Sequence, residues 1–334
     1  MANPYGNDAF SAVELTDAVN LIPNRYGRIN ELGLFPTKGV YTREIMIDER
    51  DGVLTLLPSL PLGSPGTQAK HGAKRARTFT IPHIPHDDVI LPEEYAGKRA
   101  FGSARQLAVY MDVMNEHLAE LRNKHSITLE FLRAGALKGI ITDASGDVIY
   151  NLFNEFGIAQ KTVDFALTTE TTQVRNKCFE VARHIEQNLK GDVMSGVRVL
   201  CSPEFFEALI AHPLVVEKFL YQESSTTRDD IRRGFRFGGL TFEEYNAMCD
   251  LADGSTTRFI AAGEAYAVPE GTTNTFATYF APADFMEAVN TKGQEIYAKV
   301  EPRKFNRGAD LHTQSNPLPL CRRPGVIVKL TKNS

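Results

Sequence analysis

The sequence predicts an α+β fold for a chain of 334 residues. Apolar residues recur every three or four positions over residues 103–138, which predicts one long amphipathic helix. Short runs of β-branched and aromatic residues lie on both sides of that helix and predict strands. These strands and helices do not follow the regular spacing of βαβ units, so an α+β arrangement is favoured over a doubly wound parallel sheet.

Residues 1–40 predict an extended arm rather than a domain. A capping box from Ser11 to Glu14 predicts a short helix that runs through Val19. Proline and glycine then recur every few residues, so the segment cannot build a core alone. Its apolar side chains argue against a solvated tail, and we expect another surface to cover them. The contact candidates in the arm are Leu21, Ile22, Leu34 and Phe35.

Residues 41–100 predict a long β-excursion. Alternation over residues 41–47 and short runs at 53–57 and 77–81 predict three strands. A tip rich in proline and glycine separates the last two of them. Loops of this length inside a domain are usually functional or disordered.

The tip of this excursion and the strand after it are basic. Every formal charge between positions 52 and 86 is positive, and these side chains are Lys70, Lys74, Arg75 and Arg77. A basic segment of this kind predicts electrostatic contact with an acidic surface of a partner. A solvated loop with incidental charge is the alternative.

The segment 103–138 is the clearest element of the sequence. Ser103 to Gln106 forms a capping box at its start, and Gly139 is a typical stop. A continuous helix of this length would span about 54 Å at ~1.5 Å per residue. Low helix propensity around Ser126 and Gly135 leaves a break or kink open.

The rest of the sequence predicts an alternation of short elements. Hairpins are predicted over 140–150 and 236–242, and helices over 172–189, from Pro203 and from Pro213. Further strands are predicted at 197–200, 258–262, 265–268, 275–279, 295–300 and 325–329.

Composition and charge exclude several classes of protein. Apolar residues make up 43% and charged residues 23% of the chain, which is enough for a core and excludes disorder of the whole chain. The 37 basic and 41 acidic residues give a net charge of −4, whereas a dedicated nucleic-acid binder normally has a basic excess. No run approaches the ~20 apolar residues that span a bilayer, and the amino terminus does not resemble a signal peptide. The four cysteines are widely spaced and fit a reducing cytosol.

No motif of the sequence predicts an enzyme. GxxxxGK[ST], HExxH and GxSxG patterns are absent, and no GxGxxG follows a predicted strand. The best metal-ligand candidates are His83, His86 and Asp87, but Pro82 and Pro85 hold this backbone extended, which favours a polar strand edge. We therefore predict no catalytic, cofactor-binding or metal-binding residue and no cofactor. A cytosolic metal-dependent hydrolase that uses His83, His86 and Asp87 is kept as an alternative.

Two blocks near the ends of the chain resemble one family. Residues 21–35, LIPNRYGRINELGLF, are similar to the amino-terminal block of tailed-phage major capsid proteins of the lambda-head type, the phage capsid E family. Residues 313–328, TQSNPLPLCRRPGVIV, are similar to the carboxyl-terminal end of that family. The order of arm, β-excursion, long helix, mixed lobe and final strand also matches, so the resemblance covers essentially the whole chain.

This resemblance implies an HK-type phage capsid fold with four parts. They are an N-terminal arm at 1–40, an extended loop at 41–100, a peripheral domain with a long spine helix at 101–165 and 290–334, and an axial domain at 166–289. In the family, the arm and the extended loop embrace neighbouring subunits. The family has no cofactor and no catalytic activity.

The implied function is a major capsid protein that self-assembles into pentamers and hexamers of an icosahedral head. The head encloses double-stranded DNA, which is held without sequence specificity. The resemblance further implies a separate scaffolding protein, a portal and a decoration protein as partners, no membrane, and assembly in the host cytoplasm before residence in the virion. An encapsulin-like cargo shell is the second alternative.

Overall fold

The computed structural model of the chain describes residues 11–21, 27–50, 74–95, 103–220 and 231–333. Helices and strands are mixed along these ranges, which confirms the α+β prediction. The α-helices are α1 (Ala12–Leu21), α2 (Arg28–Glu31), α3 (Ser103–Lys138), α4 (Leu152–Phe156), α5 (Val174–Asn188), α6 (Pro203–Ala211) and α7 (Pro213–Leu220).

The strands are short, and most of them pair with a partner that is distant in sequence. They are β1 (Thr37–Gly39), β2 (Glu44–Arg50), β3 (Lys74–Thr80), β4 (Ile84–Ile90), β5 (Ile140–Thr142), β6 (Val148–Asn151), β7 (Lys161–Asp164), β8 (Gly196–Cys201), β9 (Phe235–Phe237), β10 (Leu240–Glu244), β11 (Met248–Asp250), β12 (Thr256–Arg258), β13 (Glu264–Glu270), β14 (Phe276–Phe280), β15 (Tyr297–Pro302), β16 (Ala309–Ser315), β17 (Pro317–Cys321) and β18 (Val328–Thr331).

The chain divides into two units, each assembled from separate stretches of sequence. The first comprises Met1–Ile45, Phe79–Leu132 and Ala277–Leu320, and the second comprises Met46–Thr78, Arg133–Phe276 and Cys321–Ser334. These boundaries differ from those of the four predicted segments, whose assignment stays a prediction.

The core of the first unit lies between helices and an antiparallel sheet of order β15-β16-β4. One face of this sheet packs against α1 and α3, since alternate strand residues point to the same side. The buried apolar side chains of this cluster are Leu15, Val19, Ile90, Val113, Met114, Leu118, Leu121, Ile296, Ala298 and Leu311.

A second small sheet of the first unit requires a close backbone approach. Its order is β1-β14-β17, and β1 runs parallel to β14. Val40 donates its N–H to the Phe280 carbonyl, and Gly293 donates its N–H to the Val40 carbonyl, both at 2.9 Å. A Cβ at Gly293 would lie 1.9 Å from the Phe280 carbonyl oxygen, so no other residue fits there without a shift of the backbone.

The second unit contains a six-stranded mixed sheet of order β7-β18-β13-β8-β10-β9. The β8–β13 pair is antiparallel and the β8–β10 pair is parallel. Helices α5 and α6 pack against this sheet. Ser202 caps α6 by accepting a hydrogen bond from the Phe205 N–H at 3.3 Å, and Pro203 occupies the first helical position, which confirms the predicted helix start.

The helix α3 is continuous from Ser103 to Lys138, so the kink that the sequence left open does not occur. Gly135 is required by packing, because a Cβ there would lie 2.9 Å from the Ile140 carbonyl oxygen. Gly139 ends the helix with φ +81°, as predicted.

Several strands differ from their sequence predictions. The strand predicted at 258–262 ends at Arg258. The final strand begins at Val328, because Pro324–Val326 form a 3₁₀ turn. The predicted run at 53–57 lies outside the described residues.

Candidate intersubunit contact surfaces

The arm helix α1 has one covered face and one exposed face. Ser11 Oγ accepts a hydrogen bond from the Glu14 N–H at 3.3 Å, which is the predicted capping interaction. Leu15 and Val19 are buried. Leu21, at the end of the helix, is 84% exposed. Of the predicted arm contacts, Leu21 therefore remains available to another molecule.

Polar side chains fix α1 to its own unit. Asn20 Nδ2 donates to the Ile296 carbonyl at 2.9 Å, and an Arg122 guanidinium N–H donates to the Val19 carbonyl at 2.9 Å. Arg122 is buried, so this bond also satisfies a charged donor that water does not reach. The arm helix is therefore an integral part of the first unit.

The next part of the arm is held by a buried carboxylate of α3. Glu130 Oε1 accepts a hydrogen bond from the Ile29 N–H, in the first turn of α2, at 2.7 Å. Leu34 and Phe35 follow and are each only 6% exposed. The expectation that these two side chains need cover from another copy is wrong, because their own chain already covers them. Ile22 lies outside the described residues.

The predicted basic residues fall on β3 and before it. Lys74 and Arg75 begin the strand, whereas Lys70 lies outside the described residues. An Arg77 guanidinium N–H donates to the Glu155 carbonyl, and the guanidinium carbon lies 4.8 Å from the centre of the Phe156 ring. Arg77 thus already makes contacts within its own chain.

The proposed metal ligands do not converge. Strand β4 places His86 and Asp87 on opposite faces of its sheet. His83 Nδ1 lies 2.9 Å from Asn316 Oδ1, and Asp87 pairs with His312 Nδ1. Among the described residues, no group of three or more His, Cys, Asp or Glu side chains has a metal-binding arrangement.

A histidine that the sequence did not single out joins β4 and the turn after it to α3. His117 Nδ1 lies 2.7 Å from Asp88 Oδ2, and His117 Nε2 lies 2.5 Å from Glu94 Oε2. Only the imidazolium can donate to both carboxylates, since neutral imidazole has one N–H. Burial opposes the charged ring, but the bonds to Asp88 and Glu94 outweigh it and raise the pKa of His117. Spacing could not reveal this group, because its members are 23 and 29 residues from His117 in sequence.

A second histidine, His125, is buried in the first unit as a neutral ring. Burial is the main cause that lowers the pKa of His125 to about 4, and the nearby His86, His312 and Arg122 add to it. Its Nε2 lies 3.0 Å from Thr313 Oγ1, whose hydroxyl donates to the His86 carbonyl at 2.9 Å. Thr313 therefore accepts from His125, which assigns the ring proton to Nε2.

An arm packed on a long helix, a paired β-excursion and two β-containing units agree with the HK-type phage capsid fold that the resemblance implies. Solved structures of this kind share the fold. The crystal structure assigned to the capsid protein of an E. coli CFT073 prophage has a TM-score of 0.62 at 16% identity and covers 97% of this chain and 99% of its own. The mature capsid of bacteriophage PhiM1 has a TM-score of 0.50 at 11% identity and covers 89% and 84%.

The chain belongs to the family described as phage major capsid protein E, which matches residues 11–332. The major capsid protein of Pseudomonas phage KPP10 is 32% identical and covers 98% of both chains. That of Salmonella phage Felix O1 is 28% identical and covers 96% of this chain and 95% of its own. These findings confirm the resemblance and the function of a phage major capsid protein. No helix of the described residues is long and apolar enough to cross a membrane.

Proposed function

We propose that this capsid protein forms the pentamers and hexamers of an icosahedral head that encloses double-stranded DNA without sequence specificity. A separate scaffolding protein, a portal and a decoration protein are the proposed partners, and assembly takes place in the host cytoplasm. The observation that supports the proposal is family membership over residues 11–332. The net charge of −4 also fits a shell that does not hold its DNA through many phosphate contacts.

The proposed role is structural and involves no catalysis. The alternative of a metal-dependent hydrolase is not favoured, because the relatives are capsid proteins and two of the candidate ligands, His86 and Asp87, lie on opposite faces of their sheet. The alternative of an encapsulin-like cargo shell is not favoured either, because the relatives are phage major capsid proteins.

The proposed contacts between subunits involve the arm and the extended loop. Leu21 is the most exposed apolar side chain of the described part of the arm. We propose that Lys70, Lys74, Arg75 and Arg77 meet an acidic surface of a neighbour, and such a contact sets register more than affinity. The four-part division at 1–40, 41–100, 101–165 with 290–334, and 166–289 is proposed with them.

Particle imaging tests this function. The full chain is co-expressed with the neighbouring open reading frames, and the lysate is examined by electron microscopy. We expect icosahedral particles with five-fold vertices and hexameric faces. A chain that stays monomeric under all assembly conditions would contradict the proposal, and particles that enclose protein cargo without a scaffold would favour the encapsulin alternative.

Deletion of residues 59–75 tests the role of the loop. We expect a folded subunit with an unchanged circular dichroism spectrum that no longer assembles. The full-length chain, expressed and assembled in parallel, is the control. Normal particles from the 59–75 deletion would show that the loop is dispensable.

A further inference from the structure

The most exposed aromatic side chain among the described residues is at the tip of the β15–β16 hairpin. Phe305 is 88% exposed. It has φ 63° and ψ 21°, and Asn306 after it has φ 54°. Two successive residues other than glycine in the left-handed region are unfavourable, so the rest of the hairpin must impose this shape.

Hydrogen bonds at the base of the tip impose it. Arg303 donates its N–H to the Gly308 carbonyl at 3.0 Å, and Asn306 donates its N–H to the Arg303 carbonyl at 3.0 Å. Arg303 Nε also donates to Asp310 Oδ1 at 2.7 Å. A Cβ at Gly308 would lie 2.4 Å from the Ile90 carbonyl oxygen, so the hairpin is seated closely on β4. The tip is therefore a fixed projection that presents Phe305 to the outside.

The projection is also basic. Lys304 and Arg307 flank Phe305, and the Arg307 guanidinium carbon lies 5.7 Å from the centre of the ring. A cation beside an aromatic ring favours a partner that offers both an apolar contact and negative charge.

The exposed face of α3 in the same unit offers both. Met111, Asp112, Glu116 and Glu120 are all exposed. The three acids follow one another at intervals of four residues, so they form a row about 12 Å long on one side of the helix. Met111 supplies a polarisable apolar side chain at the end of this row. At the other end of the row of acids, Lys124 Nζ lies 3.5 Å from Glu120 Oε1.

We propose that the Phe305 hairpin of one subunit docks on the α3 face of a second copy of the chain. The Phe305 ring contacts Met111, and Lys304 and Arg307 pair with Asp112 and Glu116. The two surfaces carry opposite charge, which favours a second copy of the chain as the partner. Nucleic acid would be attracted to the basic tip, but the acidic row would repel it. Contact between two different surfaces of identical chains is a heterologous interface, the type that closes rings.

Disulfide trapping tests the pairing directly. Differently tagged full-length chains with Phe305→Cys and Met111→Cys are assembled together and oxidised, and the products are resolved without reductant. We expect a mixed dimer of the two chains. Cys178, Cys201 and Cys321 are buried, but Cys249 is partly exposed, so wild-type protein is oxidised in parallel as the control. Particles that give no mixed dimer, or that give mainly Phe305→Cys homodimers, overturn the proposal.

Charge exchange gives an independent test with a different readout. Lys304→Glu with Arg307→Glu should abolish assembly, and adding Asp112→Lys with Glu116→Lys in the same chain should restore it. A second combination tests the extended loop as the partner of this acidic face. If Lys74→Glu with Arg75→Glu restores assembly to the variant with Asp112→Lys and Glu116→Lys, the acidic face contacts the extended loop and the proposal is overturned.

Removal of the ring tests the apolar part of the contact. Phe305→Ala should leave the melting temperature of the subunit unchanged, because the ring makes little contact within its own chain. It should raise the critical concentration for assembly about tenfold. Val193→Ala, at an exposed site of the second unit, is the matched control and should change neither quantity. Equal effects of the two substitutions would overturn the role of Phe305.

Discussion

Acidification should destabilise the subunit through His125. The structure lowers the pKa of this ring from 6.5 to about 4, chiefly by burial. The unfolded chain therefore binds a proton near pH 6.5 that the folded chain does not bind until about pH 4. Stability conferred by the neutral ring is complete above pH 6.5 and is lost as the pH falls through this window. At 1.36 kcal/mol per pKa unit, the loss is about 3 kcal/mol.

Urea unfolding of the unassembled subunit at a series of pH values measures this loss. The chain has no tryptophan, so circular dichroism or tyrosine fluorescence reports the transition. His125→Asn is the matched variant, since it keeps every other titrating group and removes this one. Wild type should lose about 3 kcal/mol more than the variant between pH 7 and pH 4. Equal pH dependence of the two proteins would refute the assignment of a buried neutral His125.

Three further substitutions have defined outcomes. Gly293→Ala should lower the melting temperature of the subunit strongly, by about 3 kcal/mol or more in stability, because its Cβ would meet the Phe280 carbonyl oxygen. Glu130→Gln should cost about 1–3 kcal/mol in urea unfolding, since it weakens the bond to the Ile29 N–H, and protease cleavage near the arm should become faster. His117→Gln should cost about 1 kcal/mol or less at pH 6 and less still at pH 9, because the raised pKa confines the contribution of the imidazolium to pH values below it. An unchanged pH profile for His117→Gln would contradict the ion-pair description.

Local patterns predicted the elements whose signal lies within a few residues. The capping boxes at Ser11 and Ser103 and the proline at the start of α6 each correspond to a helix start. The helix α3 followed from its periodicity alone, because a long amphipathic helix repeats the same signal many times. The periodicity did not predict that the helix is continuous. The low helix propensity of Gly135 suggested a break, but this glycine is required because the backbone at Ile140 packs against it.

The strands β16 and β17 were missed because their sequences contradict the usual pattern. Strand β16 has the sequence ADLHTQS, with Thr313 as its one β-branched residue and no Tyr, Phe or Trp, and β17 has the sequence PLPLC, with two prolines. They are stabilised by pairing with distant partners and by burial, which a single sequence does not display. The His117 bridge escaped notice for the same reason, since its three members come from separate elements.

The burial of the arm changes where assembly energy must come from. Apolar content alone suggested that the whole arm waits for a partner, but Leu34 and Phe35 are already covered by their own chain. A side chain that is covered in the free subunit gains no further burial on assembly. Among the described residues, the exposed side chains Leu21 and Phe305 are therefore better candidates for contact than the most hydrophobic stretch of the arm. Exposure in the folded subunit, rather than hydrophobicity in the sequence, is the property that identifies a contact surface.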